Sequence, residues 1–302
     1  MTSLEQERIL KKCSLCPRGC KVNRLNGEVG FCGAGAKVKI ARAALHFWEE
    51  PCISGEEGSG TVFFSCCNMK CIYCQNYRIS ALNQGAEVSA EELSAKFLDL
   101  QKQGASNINL VTPTHFIPQL TDALSHAKKS GLRIPIVYNC GGYESVEALK
   151  MLAGYVNIYM PDMKYYNDKY AVEFSSAPNY FTTAQKAINE MFSQVGKPCF
   201  DERGIMQKGV IVRHMMLPGL MFDTKRIIDY LYETYGDDIY ISLMSQYTPM
   251  PNVSGNKKLN RKISTEYYNA MVEYCIEKGI KNAFIQDGSS ATESFIPEFN
   301  IK

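Results

Sequence analysis

Thr61-Val-Phe-Phe-Ser65 runs straight into Cys66-Cys67-Asn-Met-Lys-Cys71-Ile-Tyr-Cys74, and this is the stretch that decides the fold. The first five residues, β-branched and aromatic, predict a strand. The next nine place three thiols at C-x3-C-x2-C on the loop that leaves it. Three thiolates so spaced can close around three irons of a [4Fe–4S] cube, leaving the fourth iron free to chelate a substrate or cofactor. A structural zinc site would want a fourth ligand. The competing readings are a zinc knuckle that borrows Cys66, and a set of buried, inert cysteines.

Downstream, short apolar runs alternate with longer amphipathic ones. Strands are predicted at 107–111, 134–138, 156–160, 209–213, 239–243 and 282–286, with helices near 89–104, 117–130, 144–153, 179–195, 223–235 and 264–279. Ser89-Ala-Glu-Glu92 has the form of a capping box. Strands separated by helices read as βαβ units of a parallel sheet. Six or seven units suit a complete or partial (β/α) barrel better than an open Rossmann sheet. No Gly-x-Gly-x-x-Gly follows the first strand, so a dinucleotide site has no support. The segment 165–206 exceeds a standard crossover and predicts an added helical insertion.

Upstream lies a different composition. Nine of the 12 cysteines precede residue 75. Cys13-Ser-Leu-Cys16-Pro-Arg-Gly-Cys20 and Gly30-Phe-Cys32 bring four thiols into a short, glycine-containing segment. Zinc is the default for such a set, and a second iron–sulfur cluster is equally compatible. The alternative is a set of reduced structural cysteines. The expected division is a Cys-rich metal-binding module at 1–50 and a barrel with a C-terminal extension at 51–302. The segment around Trp48 is expected to pack between the two, with Glu49 or Glu50 within reach of the site. The 302 residues carry 33 basic and 31 acidic side chains, a net charge of +2. This balance disfavours a nucleic-acid binder. The N-terminus has no apolar signal core and no stretch is long enough to span a bilayer, so a cytoplasmic protein without membrane association is expected. Disulfides are rare in that compartment, which leaves metal ligation to account for the cysteines.

In a barrel, function collects at the carboxyl ends of the strands. Here those ends run into Thr112-Pro-Thr114-His115, Asn139-Cys-Gly-Gly142, Pro161-Asp162-Met-Lys164, His214-Met-Met-Leu-Pro-Gly219, Gln246-Tyr247 and Asp287-Gly288. Each alone fits a loop or cap; their shared position predicts a common mouth.

C-x3-C-x-aromatic-C after the first strand resembles the signature of radical S-adenosylmethionine (radical SAM) enzymes. The resemblance implies an α/β fold built as a partial (β/α)6-type TIM barrel, in which Cys67, Cys71 and Cys74 hold a [4Fe–4S] cluster and Tyr73 packs near the adenine of S-adenosylmethionine. It also implies reductive cleavage of that cofactor to a 5′-deoxyadenosyl radical, which abstracts a hydrogen atom from substrate. No catalytic residue beyond the cluster is assigned. Asp162-Met-Lys164 and His214-Met-Met-Leu-Pro-Gly are similar to motifs of the glycyl-radical-enzyme activases related to pyruvate formate-lyase activating enzyme, where their counterparts serve the cofactor. Thr112 and Thr114 stand where that branch has Gly-Gly-Glu, Cys66 stands where it commonly has Gly, and its Asp after the third strand is absent. Asn139 joins the expected cofactor contacts. The front cysteines, with His46-Phe-Trp-Glu-Glu-Pro-Cys and Cys74-Gln-Asn, resemble an activase-like group within the family.

The leading expectation is therefore a radical SAM oxidoreductase, activating a glycyl radical enzyme or acting on a small molecule or peptide. Its reductant would be a flavodoxin or ferredoxin, and a protein substrate is among its possible partners. In the small-molecule version, Tyr165, Tyr166 and Tyr170 would help enclose the substrate. The other class considered is a non-catalytic iron–sulfur or zinc protein carrying electrons or acting as a scaffold. In that case Asp162, Lys164 and His214 would have no reason to converge on the three cysteines.

Overall fold

The computed structural model describes residues 3–286 and 299. After helix α1 (Ser3–Lys11) the chain runs through a loop-rich segment to strand β1 (Val38–His46), then α2 (Pro51–Ser54), β2 (Ser59–Phe64) and α3 (Tyr77–Ser80). It continues through β3 (Ala86–Val88), α4 (Ala90–Lys102), β4 (Ile108–Val111), α5 (Ile117–Lys129), β5 (Ile136–Cys140), α6 (Val146–Lys150) and β6 (Ile158–Pro161). The remaining elements are α7 (Asp168–Ser175), α8 (Tyr180–Val195), β7 (Cys199–Phe200), β8 (Met206–Met215), α9 (Met221–Tyr235), β9 (Tyr240–Met244), α10 (Thr265–Glu277) and β10 (Ala283–Ile285).

The strands form one sheet in the order β10-β9-β8-β6-β5-β4-β2-β1-β3, with β7 paired to β8. From β2 to β10 every neighbouring pair on this path is parallel. β1 and β3 add antiparallel strands at one edge. Among the described residues no ladder joins β3 to β10, so the sheet stays open as a partial barrel. Its seven parallel strands fall on the seven runs expected from the sequence, with β10 as the last of the series. Ser89 caps α4 by accepting Glu92 N–H at 3.1 Å, while Glu92 accepts Ser89 N–H at 2.7 Å. This is the reciprocal pairing that satisfies two orphan donors. The core helices α5 and α8 bury apolar faces such as Leu120, Ala123, Leu124 and Ala127, and Ala184, Ala187, Ile188 and Met191.

Three features were not legible as strands or were placed differently. β1 is interrupted by Lys39, Arg42 and Ala residues, and its pattern lacks the apolar density of the parallel strands. It lies within the front segment yet pairs with β2 over Ile40–His46. The 165–206 insertion holds α7 and α8 as well as the short β7–β8 ladder. Trp48 is 65% exposed rather than packed between front and barrel. No helix among the described residues is long and apolar enough to cross a membrane.

Candidate active site

The parallel register decides which residues share the mouth. Val111 is level with Phe63 and Asn139, Asn139 with Met160, and Asp162 bridges to Arg213. The residues at and just beyond these positions line a cavity of about 240 Å³ at the carboxyl ends of the strands. Cys67, Cys71, Tyr73, Cys74, Thr112, Asn139, Asp162 and Lys164, all expected there from the sequence, line it. Gln246, from the tail of β9, joins them. Asp287-Gly288 lies outside the described residues.

Each of the three thiols has a hydrogen-bond donor. Met69 N–H points at Cys67 Sγ (3.4 Å), Ser175 Oγ at Cys71 Sγ (2.9 Å) and Ser80 Oγ at Cys74 Sγ (3.3 Å). The Ser175 contact ends a relay in which Tyr73 and Tyr165 hydroxyls meet at 2.6 Å and Tyr165 meets Ser175 at 2.6 Å. Donors aimed at cysteine sulfur stabilise thiolate charge and tune a bound cluster. Burial pushes the Cys67 thiol up to about 12, with the Cys71 sulfur adding to the rise. The Cys67 thiol is therefore protonated when nothing is bound, and a metal must displace its proton.

Opposite the thiols lies a buried charge network. Lys164 Nζ donates to Asp162 Oδ2. Arg213 Nε donates to Asp162 Oδ1 at 3.0 Å, Nη2 to Asn139 Oδ1 at 2.6 Å and Nη1 to Glu49 Oε2 at 3.3 Å. Asn109 Nδ2 donates to the other oxygen of Glu49 at 3.0 Å. Burial alone would raise the Asp162 carboxyl, but Lys164 and Arg213 outweigh it and hold it below the usual carboxylate range. Lys164 and Arg213 are held above their ordinary values because Asp162 offsets their desolvation. Burial raises Glu49, and the Arg213 guanidinium only partly reverses that. The mouth is thus lined by committed charges of both signs, suited to a zwitterionic ligand head.

Glycine is required where β5 ends. A Cβ on Gly142, whose φ is +76°, would sit 2.2 Å from the carbonyl oxygen of Asp162. Tyr180 Oη accepts the Lys164 N–H at 2.9 Å and shares its proton between the carbonyls of Gly141 and Asp162. Thr112 has φ +58°, a left-handed conformation unusual for a β-branched residue. Its N–H donates to Asn139 O at 2.8 Å.

Two expected contacts are not brought to the cavity. His214 is 2% exposed; its Nδ1–H donates to Met163 O at 2.6 Å and its Nε2 accepts from Thr224 Oγ1 at 2.9 Å. Both nitrogens are therefore committed, and burial lowers the imidazole to about 4, so it is a neutral strut. Thr114 turns away to donate to Glu144 Oε1 at 2.7 Å. Tyr165, read as part of an enclosure over the substrate, is instead fully buried in the relay behind Cys71. Cys66 has φ +76° and donates its N–H to Ile79 O at 2.8 Å. Arg213, Ser80 and Ser175 were missed. A cation ending the apolar run Val210-Ile-Val-Arg213 at a strand's carboxyl end was a usable signal for the first; the serines carried none.

At the front, Cys13, Cys16, Cys20 and Cys32 line a separate cavity of about 10 Å³. As the side chains stand, no three His, Cys, Asp or Glu among the described residues form a group that could hold a metal ion. Thiols at either place must therefore turn inward on binding.

Fold and cavity together define an open α/β barrel protein with three thiols at the mouth of its parallel strands. The Radical SAM superfamily model matches residues 61–231, and the chain belongs to that superfamily. Membership implies a [4Fe–4S] cluster and S-adenosylmethionine. Uncharacterized protein MJ0674 of Methanocaldococcus jannaschii is 28% identical over 277 residues, covering 88% of this chain and 75% of that protein. Among solved structures, Streptococcus suis SuiB bound to S-adenosylmethionine aligns with TM-score 0.52 at 13% identity, over 73% of this chain and 48% of SuiB. The FeFe-hydrogenase maturase HydG from Carboxydothermus hydrogenoformans aligns with TM-score 0.52 at 14% identity, over 77% of this chain and 55% of HydG. This chain spans about half the length of those structures, and the likeness concerns the fold.

Proposed function

We propose that Cys67, Cys71 and Cys74 hold the [4Fe–4S] cluster and that the facing network binds S-adenosylmethionine, making this an enzyme of hydrogen-atom abstraction. The observation that carries the reading is the convergence of the three thiols with Asp162, Lys164, Asn139 and Arg213 on one cavity. A cluster-bearing electron carrier or scaffold would have no use for that convergence. A cluster held by Cys67, Cys71 and Cys74 would supply the one-electron chemistry for reductive cleavage of S-adenosylmethionine, and with it the means to abstract hydrogen from a substrate. The chain's own residues do the rest. Lys164 offers an ammonium to the carboxylate of the methionine moiety, and Asp162 offers an oxygen to its amino group. Thr112 and Asn139 add polar contacts, while the Tyr73 ring provides an apolar wall whose hydroxyl is already satisfied by Tyr165. Arg213 keeps Asp162 ionised and fixed.

For the substrate we infer a polypeptide, reached through the open side of the sheet. The Asp162-Met-Lys164 resemblance to the activases supports a backbone glycine of a partner enzyme as the target. Support for a peptide comes from SuiB, whose structure has also been solved with its precursor peptide SuiA and aligns with TM-score 0.50 at 14% identity. We read the front cysteines as a second metal site and 1–50 as the module carrying it. A flavodoxin or ferredoxin would serve as reductant.

Anaerobic reconstitution with iron and sulfide, then dithionite and S-adenosylmethionine, tests the core of this. Formation of 5′-deoxyadenosine that is abolished by Cys71→Ala is expected. A cluster-loaded wild-type protein that leaves S-adenosylmethionine intact would return the molecule to the electron-carrier class.

A further inference from the structure

The front cavity is lined by more than cysteines. His115, carried on the tail of β4, lines it as well and is 2% exposed. Its Nε2 lies 2.7 Å from the carbonyl oxygen of Ser65, which can only accept, so Nε2 carries the proton. Nδ1 is then the bare nitrogen of a neutral ring, and it is buried with no hydrogen-bond partner. A second orphan lines the same cavity: Arg18 Nη2 is buried and unpaired, while its Nε donates to Asn68 O at 2.9 Å. Arg24, 2% exposed, also lines it and donates from Nη1 to the His115 carbonyl at 2.6 Å. Buried polar atoms without partners are rare and call for an explanation. Here an unprotonated nitrogen, four thiols and two guanidinium groups surround one small space.

Deepening the front-site reading, on which this rests, we infer that His115 Nδ1 is a direct ligand of a single tetrahedral metal ion held there with Cys13, Cys16 and Cys32. A nitrogen donor among the sulfurs of a small, enclosed site favours one ion over an all-sulfur cube. Five donors exceed a tetrahedral set, and Cys20, the exposed thiol, is the one left over. A Cys3His set is an ordinary zinc environment. Arg24 and Arg18 offset the thiolate charge, and Arg18 Nη2 gains a sulfur to donate to. The same imidazole links the ion to the radical-chemistry loop, because its Nε2–H holds the carbonyl of Ser65, two residues before Cys67. Ligated histidines commonly have the other ring nitrogen fixed in this way.

Cobalt(II) is the probe, added anaerobically to the full chain carrying Cys67→Ala, Cys71→Ala and Cys74→Ala so that only the front can bind. We expect one cobalt per chain and hyperfine-shifted proton resonances from one histidine ring, assigned by selective histidine labelling. The chain has 4 histidines, and only His115→Gln should remove the signal. Cys20→Ser should keep cobalt, whereas Cys13→Ser, Cys16→Ser or Cys32→Ser should lose it. Cobalt bound without a shifted histidine signal overturns the role of His115 and leaves the metal site standing. A chain that binds no cobalt overturns both, and neither result bears on the loop cluster. The wild-type front supplies the decisive spectrum, so the outcome does not depend on His115→Gln folding well.

Discussion

Arg213→Met removes the guanidinium that ties three strand ends together. In the native chain its side chain is 15% exposed and contacts Asp162, Asn139 and Glu49. After substitution Asp162 retains Lys164, but the Glu49 carboxyl keeps only Asn109 and Asn139 Oδ1 loses its donor. Breaking a buried ion pair from one side costs about 3–5 kcal/mol. The lower end applies here, because Asp162 stays paired, so the expected loss is about 3 kcal/mol. For a chain of this size that is a fall in Tm of about 5 °C. Scanning calorimetry of the metal-free protein reads it without interference from the cluster. The partner test is Glu49→Gln in the Arg213→Met background. Neutralising the stranded carboxyl should recover part of the loss, giving a coupling of about 1–2 kcal/mol. Isothermal titration of the reconstituted variant should also show weaker binding of S-adenosylmethionine, because Asp162 is no longer held on two sides. A melting temperature within 1 °C of wild type and strictly additive effects of the two substitutions would refute the network.

Two further outcomes follow from the same geometry. Burial pushes the Glu144 carboxyl up to about 7, against hydrogen bonds from Thr114 and Tyr138 that favour its charge. The folded state then binds a proton the unfolded state has released, so stability falls as pH rises from about 4.5 to 7 and levels off above. The drop is on the order of 3 kcal/mol; Glu144→Gln should flatten it in urea titrations at pH 5.5 and 8, and an unchanged slope would show that Glu144 titrates normally. Ser175→Ala removes the hydroxyl on Cys71 and leaves Tyr165 without one partner. Supporting residues of this kind are worth roughly 10–100-fold in metal affinity, so the variant should yield iron to a chelator faster than wild type, and equal rates would show the contact to be idle.

Seven parallel strands and the helices between them were legible because their signals are local: β-branched runs, amphipathic periodicity and a capping box. The three-cysteine loop was legible for the same reason, since C-x3-C-x2-C lies within a few residues of the strand that positions it. Side-chain direction was not legible. Thr114 and His214 occupy strand tails as expected, yet Glu144 claims one and Met163 with Thr224 the other. Those partners are distant in the chain or on other elements, and no residue pattern announces them. Arg213 shows the converse, a residue at a strand end whose importance appears only when the register sets it level with Asp162.

Composition and spacing thus determined on their own that this is an α/β barrel protein with thiols massed at the front and at the first strand's exit, because covalent neighbours need no folding to be neighbours. Only the tertiary structure decided which polar groups face the mouth, which serve as struts and which buried atoms are left unpaired. Those outcomes depend on strand register and on competition for hydrogen bonds between segments up to 164 residues apart in the chain, as Arg213 and Glu49 are.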